Sequence, residues 1–223
     1  MPDTRTARHH AGSGTAEGLT AKRGQKPGTA EFLFSGKTFS CPESVYFPSE
    51  DSCFLAETVK VKKGASAIDM GCGTGIQAVN ALMKGASGVL CLDINDDALA
   101  AAASNCAKAG FHGKAEVRKS DLFGNCPEKA DLIIFNPPYV PSDGIKYAEL
   151  DGGKKGREVL DRLLMQLPAH LNAHGEAWFL QTDINCHSQT GKTLKRLGLG
   201  FEIASRKRIF FEELAVYRCW KTK

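Results

Sequence analysis

Between Ala65 and Gln181 short apolar runs alternate with amphipathic stretches, and no other feature constrains the fold of this chain as much. Ala65–Met70, Gly88–Asp93, Ala115–Lys119, Asp131–Phe135 and Gly175–Gln181 read as strands. Ile76–Lys84 reads as a helix, as does the Ala-rich stretch that Asn95 caps and Gly110 ends, with Asp96 and Asp97 in its first turn and Lys108 in its last. A third helix carries Val159, Leu160, Leu163, Leu164 and Leu167 on one face and is expected to end at Pro168; Ser188–Leu197 is a fourth. Strands separated by helices cannot pair as hairpins, so they form a mostly parallel sheet covered on both faces. Phe201–Ser205 and Leu214–Trp220 read as a closing hairpin. The predicted fold is α/β: a doubly wound, Rossmann-like, mostly parallel seven-stranded sheet with an antiparallel C-terminal hairpin.

Upstream the composition changes. Residues 1–30 contain no aromatic residue and carry five basic against two acidic groups. They cannot bury enough apolar surface to offset the cost of ordering, so 1–30 is read as a disordered basic extension and 31–223 as the folded domain. An organellar presequence is the minor alternative; the segment lacks an apolar helical face. Phe32-Leu33-Phe34 and Lys37-Thr38-Phe39 read as a hairpin turning at Ser35-Gly36, and Ser49 as the cap of a helix through about Lys60.

Of the net charge of +4, the extension holds +3. The nearly neutral body lacks the basic surface that a phosphate backbone requires, which argues against nucleic acid. Lys154, Lys155 and Arg157 form a local patch, as do Arg206, Lys207 and Arg208. Eight scattered cysteines without a C-x-x-C pair read as reduced thiols in a cytoplasmic compartment, with no metal site expected. No apolar run is long enough to span a bilayer and no hydrophobic signal region opens the chain, so no membrane is expected.

In open α/β sheets ligands bind at the carboxyl ends of the strands, and the candidate residues fall there. Asp69-Met70-Gly71-Cys72-Gly73-Thr74-Gly75 follows the first of the five strands. Gly71, Gly73 and Gly75 permit a sharp turn and close approach of backbone to a ligand at a helix N-terminus. The spacing Gly73-x-Gly75-x-x-Ala78 also resembles the dinucleotide fingerprint, so a nicotinamide enzyme is open at this point. Asp93 ends the second strand, where a carboxylate can accept from both ribose hydroxyls of a nucleoside, or simply cap a turn. Asp121 and Leu122 follow the third strand and suit an adenine through carboxylate and backbone N–H; a turn aspartate is nearly as good a reading.

Asn136-Pro137-Pro138-Tyr139 separates the possibilities. It follows the apolar run Leu132–Phe135 and gathers an amide, a proline carbonyl and an aromatic face at a strand end. Hydride transfer has no use for this set, whereas transfer of a carbon to a planar NH2 does. Such a nitrogen has its lone pair delocalised. Two acceptors, the Asn136 side-chain oxygen and the Pro137 carbonyl, can bind its two hydrogens and free the lone pair. Proline fixes the carbonyl, and Tyr139 offers a flat face. Positioning and electrostatics suffice when the donor is a sulfonium.

Together these residues resemble the class I methyltransferases that use S-adenosyl-L-methionine (SAM), and more narrowly the HemK-type protein glutamine-N5 methyltransferases, from about Cys41 to Arg218. Val45–Ser52 resembles the entry segment of the short eukaryotic and archaeal branch, and Asp151–Glu158 its Gly-Gly-x-x-Gly-Arg-Glu segment. The resemblance implies that Gly71, Gly73 and Gly75, in the loop Asp69 opens, pass the methionine part of SAM, that Asp93 holds the ribose, and that Asp121 and Leu122 hold the adenine. It places Asp51 near the cofactor's amino-acid end and the substrate amide among Asn136, Pro137 and Tyr139. It further implies a release-factor glutamine in a Gly-Gly-Gln loop as substrate, and a small zinc-binding activator subunit as a heterodimer partner. Relatives with the same motif modify adenine N6 in nucleic acids or protein lysine. Small-molecule methyl transfer and a non-catalytic partner that keeps the fold are further alternatives.

Overall fold

A computed structural model describes residues 22–23, 28–144, 146–209 and 212–222. A small antiparallel sheet comes first: β1 (Lys22–Arg23), β2 (Thr29–Phe34) and β3 (Lys37–Pro42). Then follow α1 (Glu50–Thr58), β4 (Ser66–Met70), α2 (Ile76–Met83), β5 (Gly88–Asp93), α3 (Asp96–Lys108), β6 (Ala115–Lys119), β7 (Ala130–Phe135), α4 (Glu158–His170), β8 (Leu171–Thr182), α5 (His187–Arg196), β9 (Leu199–Ile209) and β10 (Glu212–Lys221). The large sheet runs β6-β5-β4-β7-β8-β10-β9. Strands β4 to β8 are parallel, and β10 lies antiparallel between β8 and β9. This is the predicted seven-stranded order of elements, with a longer hairpin than expected.

Period-two alternation in the central strands feeds two cores. Ala67, Cys91, Leu132, Ile134, Trp178 and Val216 face α1, α2 and α3. Ile68, Leu92, Ile133, Phe135, Phe179 and Tyr217 face α4 and α5, where Leu160, Leu163, Leu164 and Leu167 are fully buried. Each such leucine contributes about 1.5–3 kcal/mol by leaving water, and burial on both faces is why these strands read as continuous apolar runs.

The small sheet docks on α3. Asn105, buried on that helix, accepts from Ser40 N at 3.0 Å and donates to Ser40 O at 2.8 Å and to Thr74 O at 2.9 Å, linking the small sheet, α3 and the glycine loop. Lys37 Nζ donates to Ala109 O, at the C-terminal end of α3 where a cation is favoured.

Three expectations change. The extension assigned to 1–30 lies mostly outside the described residues, but Thr29 and Ala30 belong to β2 and pair with Pro42 and Cys41, while Lys22–Arg23 pair with Glu31 and Ala30. Strand pairing, with β3 for Thr29 and Ala30 and with β2 for Lys22–Arg23, recruits them, and composition does not report it. Pro168 lies inside α4 rather than ending it. Near the C-terminus proline forfeits one intrahelical bond, and the Leu171 N–H still reaches Leu167 O. Ser49 stands at the N-cap of α1 but makes no side-chain capping bond, whereas Asn95 accepts from Asp97 N at 2.9 Å as predicted.

Candidate active site

A cavity of about 540 Å³ opens at the carboxyl ends of β4, β5 and β7, within the 300–1,000 Å³ range usual for ligand sites. Of the site residues singled out in the sequence all but Gly75 line it: Asp51 and Asp69; Gly71 and Gly73 of the loop; Asp93; Asp121 and Leu122; and Asn136, Pro137 and Tyr139. Gly75 sits behind the wall. A β-carbon there would lie 2.8 Å from Ala102 Cα, so the loop packs directly on α3.

The carboxylates differ in what they do. Asp93 accepts from Gly73 N at 3.0 Å with one oxygen and from Asn95 N at 2.9 Å with the other, so it shapes the loop while bordering the cavity. Asp69 is 1% exposed and accepts from Ala78 N at 2.9 Å. Burial pushes its carboxyl well above the ordinary range, against the pull of that N–H. It braces the start of α2 from beneath the loop. Asp121 is exposed and pairs with Arg162 at 2.7 Å, an ion pair of little intrinsic worth that a ligand can displace. Leu122 turns through φ 50° with its side chain buried, held by the Ser120 hydroxyl donating to its carbonyl at 2.7 Å.

Asp51 is the centre of the polar wall. Only 4% exposed, it accepts from Ser52 N at 2.6 Å, from the Tyr46 hydroxyl at 3.2 Å, from the Tyr139 hydroxyl at 3.2 Å and from Asn136 Nδ2 at 3.0 Å. Burial first, and the Asp51 charge second, push both phenols well above the ordinary tyrosine value. Both keep their protons, so neither serves as a base near neutrality.

Among the described residues three buried side-chain atoms of cavity-lining residues lack any partner: Thr74 Oγ1, Gln77 Oε1 and Asn136 Oδ1. An unsatisfied buried polar atom costs about 1–3 kcal/mol, and its presence calls for an explanation. Here all three are oxygens of residues that line one cavity. A ligand bearing N–H groups satisfies them, and SAM, with an ammonium and a nucleoside, is such a ligand. The residues present fit it.

Sequence reasoning missed what holds Pro138 and Tyr139. The Asp151–Gly156 loop presses backbone on backbone: a β-carbon on Gly152 would lie 2.6 Å from Pro138 O, and one on Gly156 would collide with Tyr139 O. Asn185 Nδ2 donates to Tyr139 O at 2.9 Å and to Gly156 O at 3.0 Å. Arg157, 3% exposed, pairs with Asp161 at 2.6 Å and donates to Asn185 O, fixing that junction. The glycine spacing was the available signal. Among the described residues no group of His, Cys, Asp and Glu side chains is arranged to hold a metal, and no helix is long and apolar enough to cross a membrane.

A parallel sheet with this antiparallel end, a glycine loop and Asn-Pro-Pro-Tyr at the end of β7 define a class I methyltransferase, with SAM as its methyl donor. The methyltransferase small domain model matches residues 49–207, and the chain belongs to that family. It is 36% identical over 183 residues to a candidate protein N5-glutamine methyltransferase of Methanocaldococcus jannaschii, covering 79% of this chain and 92% of that protein. It is 32% identical over 157 residues to the release factor glutamine methyltransferase of Cereibacter sphaeroides, covering 65% of this chain and 56% of that longer protein. Among solved structures, the E. cuniculi Mtq2–Trm112 complex, responsible for methylation of the eRF1 translation termination factor, shares the fold with a TM-score of 0.61 at 24% identity over 80% of this chain and 99% of that one.

Proposed function

We propose that this enzyme methylates the side-chain amide nitrogen of a protein glutamine, in the Gly-Gly-Gln loop of a release factor. The observation that carries the reading is Asn136 Oδ1, a buried acceptor without a partner at the cavity wall. SAM supplies an electrophilic methyl group on a sulfonium. Gly71 and Gly73 give its methionine part room while Gly75 seats the loop on α3, Asp93 takes the ribose hydroxyls, and Asp121 with Leu122 meets the adenine.

Asn136 Oδ1 and the Pro137 carbonyl accept the two hydrogens of the glutamine NH2. That draws the nitrogen out of conjugation and aims its lone pair. Tyr139 lies against the planar amide, with its hydroxyl engaged by Asp51 at 3.2 Å. The proton lost after transfer needs no strong base, because the N-methylated, protonated amide is itself strongly acidic. The glutamine-methyltransferase relatives support this acceptor over adenine.

The named M. jannaschii and C. sphaeroides relatives leave the assembly open, while the E. cuniculi complex supports a heterodimer with a small partner subunit. A zinc-binding activator and a cytoplasmic setting, consistent with eight free thiols, complete the proposal. Incubation of release factors with isotopically labelled SAM, followed by mass spectrometry, tests reaction and substrate together. Label on the Gly-Gly-Gln glutamine is the expected result; label only on adenine in nucleic acid would replace the reading. Co-expression with the host's small zinc protein, followed by size-exclusion chromatography, tests the partner: a fully active monomer that ignores it would remove the heterodimer.

A further inference from the structure

Two of the three amide side chains on the cavity wall, Asn136 and Gln77, are oriented by the same helical turn. Asn136 Nδ2 donates to Asp51 Oδ2 at 3.0 Å and lies 3.4 Å from Ser52 Oγ. Gln77 Nε2 donates to Ser52 O at 2.8 Å. Both acceptors sit in the first turn of α1. Their partners come from distant parts of the chain, 85 residues away for Asn136 and 25 for Gln77. In each case the nitrogen end is bonded within the protein and the buried oxygen end has no partner among the described residues, and both residues line the cavity.

The orientation follows from donor and acceptor counting. A carboxylate and a peptide carbonyl only accept, so the end of each amide that meets them must be the NH2. Asp51 cannot turn away to release Asn136. One oxygen is fixed by Ser52 N–H at 2.6 Å, a backbone group that does not rotate, and by the Tyr46 hydroxyl at 3.2 Å. The other also receives the Tyr139 hydroxyl at 3.2 Å. Among the described residues no Lys or Arg pairs with Asp51, so neutral donors alone hold the carboxylate in place.

We propose that the first turn of α1, through Asp51 and the Ser52 carbonyl, sets the polarity of the site: by taking the NH2 groups of Asn136 and Gln77 it leaves only amide oxygens facing the cavity. The site therefore reads N–H donors at two places, the acceptor NH2 at Asn136 and a second N–H group, such as the cofactor's ammonium, at Gln77. It rejects an oxygen isostere such as glutamate in place of glutamine. This deepens the amide-methylation reading and, for the glutamine-over-glutamate part, rests on it. Asp51 is thus a positioning residue for Asn136, and Gln77 a binding residue.

Asp51→Asn inverts the device. Ser52 N–H is fixed, so the new amide must turn its oxygen to it and its NH2 to Asn136. Asn136 then flips and presents NH2 to the cavity. The first readout is nitrogen-15 NMR of the ligand-free protein, with the Asn136 and Gln77 side-chain signals assigned through Asn136→Asp and Gln77→Glu. In the wild-type protein both NH2 groups are expected to be protected from solvent exchange. The Asn136 NH2 should keep its shift when S-adenosylhomocysteine binds, because it faces Asp51; in Asp51→Asn that protection is lost.

The second readout is binding of a Gly-Gly-Gln peptide against its Gly-Gly-Glu counterpart to the S-adenosylhomocysteine complex. The preference for glutamine should fall by at least tenfold in Asp51→Asn, whereas Tyr46→Phe, which removes one donor to Asp51 but leaves Asn136 oriented, should retain it. An unprotected Asn136 NH2 in the wild-type protein overturns the proposal even if Asp51→Asn does not fold. So does an unchanged glutamine preference in a folded Asp51→Asn. If the wild-type protein binds neither peptide yet shows the protected NH2 groups and their loss in Asp51→Asn, the polarity device stands and the glutamine substrate falls.

Discussion

Replacing Gly152 with alanine separates the chemistry of Asn-Pro-Pro-Tyr from the scaffold behind it. The new β-carbon would lie 2.6 Å from Pro138 O and 2.5 Å from the Gly156 carbonyl carbon, both backbone atoms that cannot swing aside. Ordinary contact begins at 3.4 Å, so the two loops must part by about 0.8 Å, and a displacement near 1 Å costs about 10²-fold when it moves a positioned group. Gly152 is not in the left-handed region, so the change adds contact without adding backbone strain. Overpacking of this kind costs about 1–3 kcal/mol; at ~2 kcal/mol the melting temperature falls by about 4–8 °C for a chain of this size. The expected phenotype is a folded protein with kcat lowered roughly 10- to 100-fold and SAM affinity nearly unchanged, read by labelled methyl transfer and by calorimetry. Gly110→Ala is the matched control. Gly110 has φ +95° with nothing within 4 Å of its added β-carbon, so it should lose about 1–2 kcal/mol to strain and keep its kcat. A Gly152→Ala protein that loses the stability but keeps wild-type kcat would refute the view that this loop positions Pro138 and Tyr139.

Other outcomes follow from the same geometry. Asn136→Ala should lower turnover by ~10²–10³, the scale of losing one preorganised polar group, while SAM binding measured by calorimetry is retained; equal turnover would remove the mechanism. Asp93→Ala should weaken SAM binding by ~1.5–3 kcal/mol, as expected for hydrogen bonds to a charged group, and an unchanged dissociation constant would leave Asp93 as the brace of Gly73 and Asn95 alone. His187, half-buried with Nδ1 2.8 Å from the Tyr217 hydroxyl, is held below its ordinary 6.5 chiefly by burial and then by Arg206, with Glu213 and Asp183 opposing. The unfolded chain therefore takes up the proton first, and the stability that neutral His187 contributes is present above pH ~6.5 and lost as pH falls through its lower folded value. The difference between wild-type and His187→Gln melting temperatures should be level from about pH 7 to 8 and shift against the wild type below that; Asp131 and Glu176, both held low by partners, add their losses only in the carboxylate range.

The parts legible in the sequence were those whose cause is local. The predicted bounds of β5 and β6 match, because each is a short run flanked by turn residues. The cap at Asn95 and the glycine turn after β4 were legible for the same reason. Register was not: Thr29, Ala30 and the early start of β8 depend on partner strands, and Pro168 on a helix end that tolerates one missing bond. At the site, the strand-end residues announced themselves, but their supports did not. Asp51 meets Asn136 and Tyr139 across 85 and 88 residues, and Asn185 meets Tyr139 across 46, separations to which no periodicity is sensitive.

The two glycine-rich loops show why a motif needs its neighbours before it has a function. By spacing they are alike, each a cluster of glycines at the end of a strand or loop that leads into a helix. In the first, a β-carbon on Gly73 would find nothing nearer than Val45 at 3.9 Å, and the backbone borders an open cavity with bare acceptor oxygens around it. In the second, the space beside Gly152 and Gly156 is already filled by the carbonyls of Pro138 and Tyr139. Absence of a side chain therefore serves opposite ends: at Gly73 it leaves room beside the cavity, whereas at Gly152 and Gly156, as at Gly75 against α3, it lets one segment grip another. In the proposed function the second holds still the residues that meet the acceptor and the first receives the donor, so methyl transfer would depend on both even though only one of them touches a ligand.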